Sequence, residues 1–199
     1  MLIRKLHADE KGLYADHLKR LPPSDRSSRF SEAAVSDELI DKYVDGIPED
    51  DLMMGAFVDH VLIGAVHVGL GGTIAEIGIS VEGDHRGQSV GAELMDHAVQ
   101  WSRNRHAERL YIMCSGTNQS MQALARSTGM RITHDHGVAE GTMDLDPPNV
   151  LTYSDEIAAD VKEVWHDWAH MIEHVQELWF GTLTSQGTTS PKSDQRDAA

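Results

Sequence analysis

The residues best placed to do chemistry lie between Ser80 and Leu94, where Ser-Val-Glu-Gly-Asp-His-Arg-Gly-Gln-Ser-Val-Gly-Ala-Glu-Leu leads from an alternating apolar run through a glycine-bearing turn into a helical pattern. N–H groups in the first turn of a helix have no intrahelical acceptor. Gly87 and Gly91 let an anion come close to them, so the segment can cradle a phosphate or pyrophosphate. The spacing is not that of a P-loop, which ends in Gly-Lys-Ser/Thr, nor that of a dinucleotide fold, which needs G-x-G-x-x-G.

Such a cradle works only if a strand and a helix hold it. Thr73 to Val81 alternates, with Ala75, Ile77, Ile79 and Val81 on one face and Glu76, Gly78 and Ser80 on the other, which predicts a strand. Val90, Leu94, Ala98 and Trp101 then recur at helical spacing, and Arg109 to Cys114 is short, apolar and strand-like. Asn118 to Met130 reads as an asparagine-capped helix closed by Gly129. Upstream, Leu2 to Leu6 reads as a first strand and Ala8 to Leu21 as a helix ended by Pro22-Pro23. The stretch to Phe30 reads as a capped loop, and Ser36 or Asp37 caps a second helix running to Gly46. Leu52–Asp59 and Val61–Leu70 bracket Asp59-His60 as a hairpin, and the strand from Thr73 continues the meander after Gly71-Gly72. Arg131–His134 and Thr142–Leu145 are two more strands across a polar connection, and Pro147-Pro148 closes the domain.

The phrase Arg86-x-x-Ser89-x-Gly91-Ala92 resembles the R/Q-x-x-G-x-G/A pyrophosphate loop of the GNAT superfamily of N-acetyltransferases, and Asn118 to Gly129 is similar to that family's second signature. The resemblance spans Leu2 to Leu145 and is stronger in the second half. His17 to Phe30 is also similar to a stretch of bacterial members, protein-lysine acetyltransferases included. The resemblance implies an α/β (α+β) GNAT acyltransferase fold: a mixed, mostly antiparallel sheet flanked by helices. It implies acetyl-CoA as cosubstrate, its pyrophosphate held by Arg86 and by the N–H groups of Gly87, Gln88, Ser89, Val90, Gly91 and Ala92. The backbone from Ile79 to Val81 would take the pantetheine arm as an added strand and stabilise the thioester oxyanion, with Asn118 hydrogen-bonding nearby. Asn118 is equally suited to act as a helix N-cap.

Transfer to an amine raises a proton problem first, because a lysine-type ammonium titrates near ~10.4 whereas a thiol leaves readily at about 8.5. Glu76 stands where histone-type members place their catalytic glutamate, with one residue fewer before Arg86. Its alternative is a polar residue on an exposed strand face. Two positions depart from the pattern: Ser89 replaces a glycine, and Ala125 stands where the family often has an acid tyrosine. Tyr111, Ser120 or water could substitute for that acid. The serine hydroxyl could itself donate to phosphate only at negative φ.

A net charge of -15 argues against a phosphate-backbone footprint, so no nucleic-acid partner is expected, and it favours a cationic acceptor. Cys114 is the only cysteine, which excludes an intrachain disulfide or a cysteine zinc site and suits a reducing, cytoplasmic setting. It reads as a small buried hydrophobe and His67 as structural. No stretch approaches the ~18–20 apolar residues of a membrane span. From Asp155 to Phe180, Ile157, Val161, Val164, Trp168, Met171, Val175 and Leu178 form a heptad seam. This amphipathic C-terminal helix would pack on its own domain or make a homodimer. His166, His170 and His174 lie opposite the seam and read as a solvated face, so no metal is expected. The organisation expected is a GNAT domain over 1–148, a helical extension over 149–180 and a disordered tail over 181–199. The activity expected is acetyl-CoA-dependent N-acetyl transfer to a primary amine (protein lysine or N-terminus, polyamine or small amine) by direct attack in a ternary complex. The alternatives are a longer acyl group or a non-catalytic acyl-CoA-binding sensor on the same fold.

Overall fold

The computed structural model describes residues 1–149 together with Tyr153, Ser154 and Glu156. Apart from Glu156, the expected helix over 155–180, its histidines and the tail lie outside the described residues. The chain opens with β1 (Leu2–Lys5), a 3-10 turn and α1 (Lys11–Arg20). Leu21 leaves the helix at φ -63, ψ 141, as a residue before proline must.

The stretch expected as a loop is instead a helix, α2 (Pro23–Phe30), with a proline at its first position. Proline reads as a helix stop after α1 and as a helix start at N1, where its missing N–H goes unneeded. That double meaning hid α2. The helix α3 (Asp37–Asp45) follows, its Ser36 side chain accepting from the Leu39 N–H as expected of an N-cap.

The meander is β2 (Leu52–Val58), β3 (Val61–Gly71) and β4 (Ile74–Val81), with Asp59 and His60 both at positive φ, 48 and 64, in the first turn. Such a turn matches the twist of the strands it joins. Then come α4 (Val90–Asn104), β5 (Arg109–Ser115), α5 (Gln119–Ser127), β6 (Arg131–Asp135) and β7 (Val138–Asp144). The final strand begins four residues before Thr142. Gly137 at φ 88 beside His136 at φ 44 makes the β6–β7 turn that tight.

The seven strands form one sheet in the order β1-β2-β3-β4-β5-β7-β6. Every neighbouring pair is antiparallel except β4 and β5, which run parallel because α4 crosses over between them. Strand alternation sends Val66, Val68, Ala75, Ile77 and Ile79 to one face, where Val90, Leu94, Met95, Ala98 and Trp101 of α4 cover them. Met53, Phe57, Leu62 and Ala65 go to the other, under Tyr14 and Leu18 of α1 and Ile40 and Val44 of α3. Among the described residues no helix is long and apolar enough to cross a membrane.

The seating of α4 on the sheet depends on Gly64. A Cβ there would stand 3.0 Å from Val90 Cγ1, 3.3 Å from Leu94 Cδ1 and 3.3 Å from the Ser80 carbonyl oxygen. The last is backbone and cannot turn aside. Gly64→Ala should therefore cost about 1–3 kcal/mol as an overpacking change, read as a lower urea midpoint at unchanged m-value.

Candidate active site

Pairing between β4 and β5 runs only from Ile74↔Arg109 to Ile77↔Ile112. Beyond it β4 stays bound to β3 as far as Val81↔Gly64, and β5 stays bound to β7 as far as Ser115↔Val138. The two strands splay, and a cavity of about 740 Å³ opens between them. Its walls include Ile79 and Val81, the loop from Arg86 to Ala92, Asn118 and Met121 on α5, and Asp25 and Ser28 on α2. Glu82 donates its N–H to the Ile63 carbonyl on the β3 side at 2.9 Å. By strand alternation the backbone groups of Ile79 and Val81 then face the open edge.

The loop brings Arg86, Gly87, Gln88, Ser89, Val90, Gly91 and Ala92 together on this cavity, apart from Gln88, whose side chain turns back to donate to the Asp84 carbonyl at 3.0 Å. The first intrahelical bond of α4 is Glu93 N–H to the Ser89 carbonyl at 3.0 Å, so the N–H groups of Val90, Gly91 and Ala92 precede any helical acceptor. Ser89 lies at φ 64, in the left-handed conformation a glycine would take, so the route by which its hydroxyl could donate at negative φ is closed. Gly91 packs closely against α5: a Cβ would stand 3.3 Å from Leu124 Cδ2. Arg86 is already engaged, donating to the Val81 carbonyl at 3.0 Å and to Asp25 at 2.6 Å. Asn118 caps α5 by accepting from the Met121 N–H at 3.0 Å and also donates to Ser28 of α2 at 2.7 Å. It is thus both cap and clasp.

On the opposite face of β4 the alternate residues meet a polar layer that sequence reasoning missed. Gly78 lies under the Arg29 guanidinium, which a Cβ there would overlap. Ser80 meets buried His17 (Oγ to Nε2 2.9 Å), and Glu82 meets Arg20 at 2.9 Å. Glu76, the expected base, stands beside a second cavity of about 670 Å³ lined also by Tyr43, Asp51, His67 and Tyr111. The two cavities share Arg29, Ile77, Gly78 and Met113 as walls. The signal available in sequence was the polar face Glu76-x-Gly78-x-Ser80: three polar or small positions on a central strand demand partners from a covering helix.

Burial sets the charge state of this layer. His17 titrates below the usual imidazole value because burial disfavours the cation more than neighbouring Glu82 favours it, and burial likewise lowers His67 against the pull of Asp51. Burial pushes the Cys114 thiol up, in keeping with a buried hydrophobe. Ala125 is packed in the core, so no side chain there reaches the cleft.

A family model described as the acetyltransferase (GNAT) family matches residues 15–130, more than half of the chain. The chain belongs to that family. Its fold is similar to the GNAT domain of a PAT from S. lividans (TM-score 0.62, 18% identity, 72% of this chain and 89% of that one). It is also similar to the ribosomal-protein-S18-alanine N-acetyltransferase of Escherichia coli (TM-score 0.58, 14% identity, 74% and 96%). A third likeness is to a phosphinothricin acetyltransferase from Sinorhizobium meliloti in complex with AcCoA (TM-score 0.56, 16% identity, 74% and 93%). At these identities the likenesses show the fold. Among curated proteins none matches the chain. The predicted GNAT fold, with its mixed sheet flanked by helices, is therefore the observed one, and the family's use of acetyl-CoA makes the splayed cleft the place to look for it.

Two outcomes follow from this geometry. A histidine whose folded pKa is depressed contributes stability that is present above its unfolded value of about 6.5 and is lost as pH falls below it. Urea midpoints should thus fall between pH 7.5 and pH 5, and His17→Gln should flatten that fall. Ser89→Gly removes the cost, about 1–2 kcal/mol for an L-residue, of the left-handed conformation at this position. It should leave thermal stability equal or higher, whereas Ser89→Val should lower it.

Proposed function

We propose that the protein is an acetyl-CoA-dependent N-acetyltransferase that carries out direct transfer to a primary amine in a ternary complex. The observation that carries this reading is the pair of cavities on either side of β4 meeting at Ile77, Gly78 and Met113. One has the phosphate-binding loop and an open strand edge; the other has carboxylates. A nucleotide thioester and a cationic amine can thereby approach the shared wall of Arg29, Ile77, Gly78 and Met113 from opposite sides.

The donor fits the residues present. Gly87, at φ 73, has no heavy atom within 4 Å of where a Cβ would stand, so the loop backbone is open to a pyrophosphate. The N–H groups of Gly87, Gln88, Ser89, Val90, Gly91 and Ala92 would hold it with the help of Arg86. Ile79 and Val81 would pair with the pantetheine arm, and an N–H of this strand would stabilise the thioester oxyanion. Asn118 would serve from the cleft floor. Acetyl-CoA supplies the activated acyl group when bound.

Glu76 is exposed beside the second cavity and makes no hydrogen bond to a described residue, leaving both oxygens free to accept from an ammonium. We assign it as the base that takes the first proton. The tyrosine hydroxyl of Tyr111 lines the same cavity, and burial raises its pKa, so it stays protonated at neutral pH. The net charge of -15 favours cationic acceptors over anionic ones. The same charge and the lone Cys114 suit a reducing cytoplasm, and the GNAT domain is assigned to 1–148.

The test is thiol release from acetyl-CoA with lysine peptides, N-terminal peptides and polyamines, alongside calorimetry for CoA. Acceptor-dependent release is expected; tight CoA binding with no release for any amine would instead mark a sensor. Glu76→Gln should lower kcat about 10²–10⁴-fold at pH 7 and recover as pH rises toward the amine pKa. Turnover unchanged across the whole range would remove Glu76 as the base.

A further inference from the structure

The second cavity contains more proton-handling machinery than a docking pocket needs. Tyr43 of α3 lies 2.8 Å from His67 Nδ1, and His67 Nε2 lies 2.9 Å from Asp51 Oδ2. A carboxylate can only accept, so Nε2 carries the hydrogen, Nδ1 is the acceptor, and the Tyr43 hydroxyl donates to it. The Tyr43 oxygen accepts in turn from Arg29 Nη2 at 2.8 Å, which leaves it one lone pair on a residue that lines the cavity.

Four elements converge on this chain. Asp51 comes from the turn before β2, Tyr43 from α3, Arg29 from α2 and His67 from β3. Glu76 on β4 faces the same side, since its cross-strand partner is Gly69, where a Cβ would stand 3.2 Å from Asp51 Oδ2. Tyr14 of α1 completes the surroundings, 3.4 Å from Arg29 Nη2. Among the described residues Arg29 has no carboxylate within salt-bridge distance, and its buried Nε has no hydrogen-bond partner. An uncompensated buried cation stabilises negative charge that develops beside it. The nearest oxygen on which charge can develop is that of Tyr43.

We propose that Tyr43, His67 and Asp51 form a proton-accepting chain for the acceptor amine, with Tyr43 touching the nitrogen. This rests on the transferase reading and deepens it. An ammonium acceptor must lose two protons on its way to an amide: one before attack and one as the C–N bond forms. Glu76 takes the first. As nitrogen bonds to the carbonyl carbon, its second proton passes to the Tyr43 oxygen, and the tyrosine's own proton passes to His67 Nδ1. The resulting imidazolium is held by Asp51, as in other carboxylate-oriented histidines. The C–S bond breaks with its electron pair going to sulfur, and the thiolate takes up one of the two protons while the other goes to solvent. Burial first, and then the Arg29 cation, lower the His67 pKa, so the ring is neutral at pH 7 with a lone pair on Nδ1, at the cost of disfavouring the imidazolium. Asp51 offsets part of that cost when Nδ1 takes the proton.

The experiment uses the full chain with acetyl-CoA and an amine that the wild type acetylates. Tyr43→Phe removes only the hydroxyl and keeps the ring that packs edge-on to Phe30 at 5.1 Å. His67→Gln is the second variant. Each should lower kcat about 10²-fold or more at pH 7, with the deficit shrinking as pH rises and with KM for acetyl-CoA unchanged. In the wild type, ¹⁵N imidazole shifts at pH 7 should show Nδ1 unprotonated and Nε2 protonated. Wild-type kcat in Tyr43→Phe, or an equal loss at every pH accompanied by a fall in Tm, would reduce the chain to a structural tie between α3 and β3 and overturn the proposal. If the wild type itself transfers to no amine, the transferase reading falls first and the proton chain with it.

Discussion

The parting of β4 from β5 after Ile77 and Ile112 is the constraint on which the rest of the molecule depends. Each strand keeps its outer partner while releasing its inner one, so the gap costs no loss of outer ladder. It does leave backbone N–H and C=O groups of Ile79 and Val81 without a strand to pair with. Such an edge in the middle of a sheet is tolerated where a ligand or a covering element satisfies it. Here α2 and α5 close over the gap through the Asn118–Ser28 bond, while the Arg86–Asp25 pair ties α2 to the loop. The cleft is therefore held by polar contacts between side chains of α2, α5 and the loop.

The other face of β4 shows how a central strand can be polar without being exposed. Gly78, Ser80 and Glu82 are each answered by a side chain of α1 or α2, namely Arg29, His17 and Arg20. These contacts fix the helices in register along the strand. A buried polar group without its partner costs on the order of 1–3 kcal/mol, so a slip of α1 by one turn would be penalised at several positions together. Glu76, further along that face, makes no hydrogen bond to a described residue and stands at the second cavity. Three positions are thus met by helix side chains, and one is left open.

Much of this was legible in the chain, for physical reasons that differ by segment. The meander, α4 and β5 were legible because hydrophobic period alone specifies them: two for Ala75 to Val81, three to four for Val90 to Trp101. The loop's place between β4 and α4 was legible because glycines interrupt the sequence just before a helical period begins. The helix α2 was not, since Pro22-Pro23 carries opposite meanings at the end of one helix and the start of the next, and its sequence Pro-Ser-Asp-Arg-Ser-Ser-Arg-Phe has only one large apolar residue. The polar chain from Arg29 to Asp51 was not legible either. Its members come from α2, α3, β3 and the turn before β2, and only the fold brings them within hydrogen-bond distance.

The asymmetry between the two cavities bears on how a strongly acidic chain can handle an acidic cofactor. Long-range repulsion between a net charge of -15 and a polyanionic nucleotide is screened beyond roughly 8 Å at physiological ionic strength. The interaction is decided by the groups within that distance. Around the first cavity those are Arg86, ion-paired with Asp25, and the first-turn N–H groups of α4 with the positive end of its dipole. Around the second they are the carboxylates of Glu76 and Asp51 and the buried cation Arg29. An anion thus gains only on close approach to the N–H groups that open α4. Arg29 stands at the wall the two cavities share, so a buried positive charge lies between them.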